Sequence, residues 1–291
     1  MDLQLYEVRH PNPVAQNNYD NLIAIDEQKS ALLNTLHLFF DTDKVNKWHK
    51  KYHHSKLNFF ENILSGTPLV ILEGDVGCGK TALAHTIATP LGKLIDKRVF
   101  CFETPSNIRG AGRVGEISNR ITEAFTQAKS KVRGNDIGIL IIDEADDLAT
   151  DREQNQAHHE DRAGLNVLIK QIDSVGREKT NLAVVLITNR LKALDPAVVR
   201  RATQIIRFDR PDKDGRKEVF KYIFAGTDIS IKEIDELVKA SERKDTAYSF
   251  SDLIQKIAKQ ALFHAIEEDK PLDKNMYIKI LEKVQPSPSI K

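Results

Sequence analysis

Three stretches of the chain carry apolar residues without polar alternation: Pro68-Leu69-Val70-Ile71-Leu72-Glu73, Ile137-Gly138-Ile139-Leu140-Ile141-Ile142 and Leu182-Ala183-Val184-Val185-Leu186-Ile187-Thr188. Runs this short, with no polar face, predict strands buried on both sides. Arg98-Val99-Phe100-Cys101-Phe102 predicts another. Between them the spacing turns helical, with Ile117, Ile121 and Phe125 at i, i+4 and i+8. Further upstream, Ala31, Leu32, Leu36 and Phe39 share one face of a helix that Asp26 is placed to cap. Strand alternating with helix predicts an α/β fold, a parallel sheet flanked by helices. From Pro211 onward strand signals stop, and 213–224, 231–240, 250–266 and 273–283 all repeat with helical period. The pattern predicts an N-terminal arm over 1–18, a large α/β domain over 19–210 and a small all-helical domain over 211–291. Pro286-Ser287-Pro288-Ser289 predicts a frayed stretch.

The first apolar run leads directly into Gly74-Asp75-Val76-Gly77-Cys78-Gly79-Lys80-Thr81, which fits G-x-x-x-x-G-K-[ST] between a strand and a helix. Glycines there let backbone N–H groups of Asp75, Val76, Gly77, Cys78 and Gly79 close on a polyphosphate. The helix N-terminus adds partial positive charge, Lys80 neutralises the β/γ oxygens, and the Thr81 hydroxyl can ligate Mg²⁺. The chain is therefore expected to bind a nucleoside triphosphate, ATP. The second run ends in Asp143-Glu144 and the third in Asn189, at the strand ends where open parallel sheets bind ligands. Asp143 is expected to hold Mg²⁺ directly or through water, and Glu144 to orient the attacking water. Asn189 can set a neutral amide beside the same water.

Bulk composition changes little. The formal net charge of +1 over 291 residues gives no general attraction to nucleic acid or an anionic membrane. The two cysteines, Cys78 and Cys101, form no disulfide framework, which fits a reducing cytoplasm. The N-terminus lacks signal-peptide anatomy and no run reaches membrane-spanning length. The basic, His-rich stretch from Lys44 to Lys56 could be a metal site or a nucleic-acid patch, but without neighbouring Cys or acidic ligands a solvated helix face fits better. His158-His159-Glu160-Asp161 poses the same alternative and is read as a solvated loop.

Taken in order, these motifs resemble the AAA+ ATPases, from Tyr19 to about Ile266. The resemblance implies an AAA+ P-loop NTPase core with a small helical lid domain. It identifies Asp143-Glu144 with the family's Walker B motif and Asn189 with sensor 1. It places Leu22 and Ile23 against the adenine and makes Arg200 and Arg201, in Leu194-Asp195-Pro196-Ala197-Val198-Val199-Arg200-Arg201, the candidates for an arginine finger acting on a neighbouring subunit's ATP. A ring, normally a homo-hexamer, follows. Gly115-Glu116-Ile117-Ser118 and the stretch from Asp161 to Asp173 resemble the pachytene-checkpoint ATPases, which remodel HORMA-domain proteins. Compact bacterial relatives accompany HORMA proteins and nucleotide cyclases in cyclic-oligonucleotide antiphage signalling. With little chain before Tyr19, the ring itself is expected to grip its substrate. Arg109, Arg113 and Val114 occupy the loop that the family turns toward the central pore, with Arg113 where unfoldases carry an aromatic. A general AAA+ unfoldase, a DNA-handling ATPase using the basic groups and a non-hydrolysing nucleotide switch are the competing readings.

Overall fold

The computed structural model describes residues 3–55, 57–58, 60, 66–106, 108, 115–148 and 159–289, with backbone alone over 159–161. The chain divides into two compact units. The first comprises Met1–Tyr19, Glu27–Glu73 and Thr81–Arg207; the second comprises Asp20–Asp26, Gly74–Lys80 and Phe208–Lys291.

The first unit is built on a sheet of six strands: β1 (Tyr6–His10), β2 (Leu69–Gly74), β3 (Val99–Glu103), β4 (Ile137–Ile142), β5 (Leu182–Thr188) and β6 (Gln204–Phe208). Their order is β1-β3-β4-β5-β2-β6. β3, β4, β5 and β2 pair in parallel, and β1 adds to β3 antiparallel. Every residue of β4 and β5 is buried, which explains their unbroken apolar runs: helices cover both faces, so no position needs a polar side chain. The helices Glu116–Lys131 and His159–Arg177 supply one cover, packing Ile121, Phe125, Leu168 and Ile172 with Leu140, Ile142 and Leu186 in one core.

The two outer strands carry no such run. β1 is Tyr-Glu-Val-Arg-His with only His10 buried, and β6 buries only Ile206 and Phe208. Charged, exposed edge strands resist pairing with other chains, and the same feature hides them from an apolar-run reading. The N-terminal arm thus contributes the sheet edge itself, and its Leu3 N–H and C=O bond Glu123 and Gln127 of the helix Glu116–Lys131.

The second unit has its own core of Val219, Phe220, Phe224, Leu237, Tyr248, Leu253, Ile257, Tyr277 and Leu281. Phe220 meets Tyr277 edge to face at 5.6 Å, and the Tyr277 hydroxyl donates to Leu253 O (2.9 Å). That bond satisfies a phenol that would otherwise be an unpaired polar group inside an apolar core. The helix Ile231–Ala240 opens with a reciprocal capping box between Ser230 and Glu233. The segment Asp252–Ala258 is π-helical and runs into the helix Lys259–Glu267; such turns are rare and cluster near functional sites.

Candidate functional site

The phosphate-loop residues Gly74–Lys80 fold with the second unit, and their backbone shows why the motif needs glycine. Gly74 has φ 135°, and a Cβ there would lie 2.0 Å from Phe208 O. Gly77 has φ 74°, and its Cβ would sit 2.8 Å from both Ser249 Oγ and Ser251 Cβ. Any side chain would push the loop off the small unit. The Gly77 carbonyl accepts the Ser251 N–H at 3.0 Å. Lys80 is buried, and its ammonium donates to Gly74 O (2.8 Å) and Asp75 O (2.6 Å). Burial pushes the Cys78 thiol up to about 11, so it stays protonated near neutrality. Leu22 and Ile23 are half-buried in the companion segment Asp20–Asp26, whose Ile25 Cδ1 lies 3.5 Å from the Cβ position of Gly79.

The next residue, Thr81, belongs to the first unit. Its hydroxyl donates to Asp143 Oδ2 at 2.8 Å, while Asp143 Oδ1 accepts the Glu144 N–H at 2.8 Å. Glu144 is exposed with φ 51°, a left-handed backbone that a non-glycine residue adopts only when its surroundings impose it. Among the described residues its carboxylate has no hydrogen-bond or ion-pair partner. The parallel registers Glu73↔Thr188 and Ile142↔Leu186 bring the ends of β2, β4 and β5 to one edge of the sheet, so Asn189 leaves that edge beside Asp143-Glu144.

A buried group that the sequence did not reveal stiffens this corner. Asp146 accepts the Thr188 hydroxyl (2.9 Å) and Arg190 Nε (2.8 Å), and the Arg190 N–H in turn donates to Thr188 Oγ1 (2.9 Å). Asn189 lies between two residues tied to one carboxylate, a network that holds the backbone from which its amide projects. An acidic residue one position past Ala145 was the only clue, and nothing local set it apart from Asp147.

The two candidate fingers differ. Arg201 is held by Asp173 through both carboxylate oxygens (2.7 and 2.9 Å) and by Ala197 O (2.7 Å). The hydrogen bonding it donates to the Asp173 carboxylate raises its pKa further. Arg200 is exposed and has no side-chain partner among the described residues. The short helix Pro196–Val199 that precedes them is capped by Asp195, which accepts the Ala197 N–H at 2.7 Å.

Arg109, Arg113, Val114 and His158 lie outside the described residues, as do the side chains of His159, Glu160 and Asp161. The basic helix Thr42–Tyr52 buries none of its residues and exposes Trp48 and Tyr52. No group of three or more His, Cys, Asp or Glu is arranged for a metal among the described residues. A cavity of about 930 Å³, lined by Phe39, Phe40, Trp48, Leu57 and Val175, reaches Pro68 and Leu182. Pro68 immediately precedes β2 and Leu182 opens β5, so it lies at the opposite edge of the sheet from Glu144. No helix among the described residues is long and apolar enough to cross a membrane.

Residues 70–210 match the model of the ATPase family associated with various cellular activities (AAA). CD-NTase-associated protein 6 of Escherichia coli (strain MS 115-1) is 34% identical over 299 residues, covering 98% of this chain and 96% of that protein. A chain in a structure of an E. coli MS115-1 HORMA:CdnC:Trip13 complex superposes with TM-score 0.93 and 33% identity, covering 99% of this chain and 98% of that one. A Rhizobiales Trip13 structure gives TM-score 0.76 and 29% identity over 97% of this chain and 98% of that one.

Proposed function

The chain belongs to the AAA ATPases, in the family of CD-NTase-associated protein 6, and from that premise we propose that it is an ATP-driven ring that remodels a HORMA-domain protein. One observation carries the reading: the near-complete likeness to the Trip13-complex chain, 99% of this chain at TM-score 0.93. In this reading the HORMA partner, in complex with a nucleotide cyclase, belongs to bacterial antiviral signalling in the cytoplasm, and the working form is a homo-hexamer.

The residues suit the chemistry. Gly74 O and Asp75 O are the acceptors that phosphate oxygens replace when Lys80 turns to the β/γ-phosphates. Leu22 and Ile23 offer apolar surface to the adenine. Magnesium, when bound, neutralises charge on the phosphate oxygens; the Thr81 hydroxyl and Asp143 carboxylate are hard oxygen donors 2.8 Å apart that would hold it. Glu144, unpaired and exposed, orients the attacking water and polarises it. Asn189, held by its neighbours' bonds to Asp146, places its amide toward the same water. Arg200 is the finger, reaching the ATP of an adjacent subunit, while Arg201 braces the turn through Asp173. The pore-loop residues Arg109, Arg113 and Val114 grip the substrate through charged and apolar contacts rather than an aromatic wedge.

The test is ATPase activity with and without a HORMA-domain protein from the same genome. The reading expects the partner to stimulate turnover, Glu144→Gln to keep ATP binding while losing about 10²-fold or more in turnover, and Lys80→Ala to lose binding. Turnover near wild type in Glu144→Gln, or no response to the partner, would contradict it.

A further inference from the structure

The segment 286–289, proline- and serine-rich, is not frayed. Two of its carbonyls, Ser287 O and Pro288 O, accept Arg210 Nη1 (2.8 Å) and Nη2 (3.0 Å). Its Ser287 N–H and hydroxyl both donate to Asp252, at 3.0 and 2.6 Å. Asp252 is fully buried and also accepts Lys256 Nζ (2.8 Å) and the Ser249 N–H (3.0 Å). At the far end the Ser289 hydroxyl donates to Asp75 Oδ2 at 2.8 Å, and Arg210 Nε donates to that same oxygen at 2.7 Å. All of these residues belong to the second unit.

Asp75 is the second residue of the phosphate loop, and this gives the segment a role beyond packing. A carboxylate beside an anion-binding loop opposes a polyphosphate unless it is neutralised and turned away. Arg210 neutralises it, and Ser289 holds the oxygen that faces the segment. The Asp75 carbonyl is also one of the two that hold Lys80 Nζ. The loop must therefore keep its shape while Lys80 leaves Asp75 O for the nucleotide, and the Asp75 side chain, together with its N–H, which donates to Phe208 O at 3.3 Å, anchors it while that happens. Preorganisation of this kind appears as affinity.

We infer that the segment 286–289 is a strap that sets nucleotide affinity by fixing Asp75, with Ser289 and Arg210 as its positioning residues. The inference rests on the phosphate-loop reading above. Its test combines steady-state ATPase, equilibrium ATP binding and thermal melting on the full chain for Ser289→Ala, Ser289→Thr, Arg210→Lys and Lys80→Ala. Ser289→Ala should raise KM and Kd for ATP about three- to tenfold, the size of one net hydrogen bond, with kcat within about twofold. Ser289→Thr keeps the hydroxyl and should restore both constants. Arg210→Lys keeps the charge but cannot span Asp75 and two carbonyls, and should carry the same rise in KM. Wild-type KM in Ser289→Ala or Arg210→Lys overturns the strap. So does a fall in kcat alone, or a Ser289→Thr protein as impaired as Ser289→Ala. Lys80→Ala separates the two claims: normal ATP binding in it removes the phosphate-loop reading, whereas lost binding beside a normal Ser289→Ala removes only the strap.

Discussion

At the residue scale, two adjacent arginines are separated by their contacts, and the proposed reading gives them different duties. Arg201 spends its guanidinium on Asp173 and Ala197 O, whereas Arg200 reaches solvent. Arg201→Ala should cost about 1 kcal/mol, because the pair is partly exposed and screened, and lower Tm by about 2–4 °C. Arg200→Ala should leave Tm unchanged and lower turnover by ~10³-fold or more. Mixing it with Glu144→Gln should restore some activity, since each mutant supplies what the other lacks across a shared interface. Melting curves and ATPase assays on the two single variants check this; equal loss of turnover in both would remove the distinction. The sequence offered the pair without separating its members, because Asp173 lies 28 residues away and its side chain meets Arg201 only in the fold. The same limit hid Asp146, Arg210 and Ser289, all defined by partners distant in sequence. Glu144 and Lys80 stand out as candidates because their motifs fix their neighbours within a few residues.

At the element scale, legibility followed burial. β4 and β5, covered on both faces, announce themselves by composition; β1 and β6, each with an exposed face and charged residues, do not. β1 is anchored by His10, which is buried, pairs with Val99 across to β3 and sets Nδ1 2.7 Å from Thr89 Oγ1. Burial lowers its imidazole from 6.5 to about 4. The folded chain therefore holds His10 neutral in a range where the unfolded chain protonates it. The sign follows: the unfolded state binds the extra proton, so stability rises with pH through this window. The contribution is fully present above about 6.5 and is lost progressively as pH falls toward about 4. Thermal melts of wild type minus His10→Gln across that range should show a difference that shrinks on acidification. A pH-independent difference would mean that His10 is protonated in the fold. The short proline- and serine-rich segment misled in the other direction, since composition suggested fraying while Asp252 and Arg210 tie it down.

At the scale of the whole molecule, the proposed reading has the ATP of one chain completed by a finger from another. Arg200 has no acceptor of its own among the described residues, and a heterologous head-to-tail contact that closes into a ring would supply one at every interface. The order of motifs along the chain was enough to read the AAA fold, because phosphate loop, Asp143-Glu144, Asn189 and Arg200 each follow a strand or helix that composition already marks. The partner was expected from a narrower resemblance, that of Gly115-Glu116-Ile117-Ser118 and the stretch from Asp161 to Asp173, and likeness to a chain from a HORMA:CdnC:Trip13 assembly supports it. The most direct measurement is the time course of a fluorescently paired HORMA–cyclase complex after addition of this protein. With ATP the complex should come apart catalytically, each ring acting on many complexes. It should stay intact with a non-hydrolysable analogue, and Glu144→Gln should bind it without releasing it. A complex that persists while this protein hydrolyses ATP at its full rate, or one that dissociates equally with Glu144→Gln, would contradict the account.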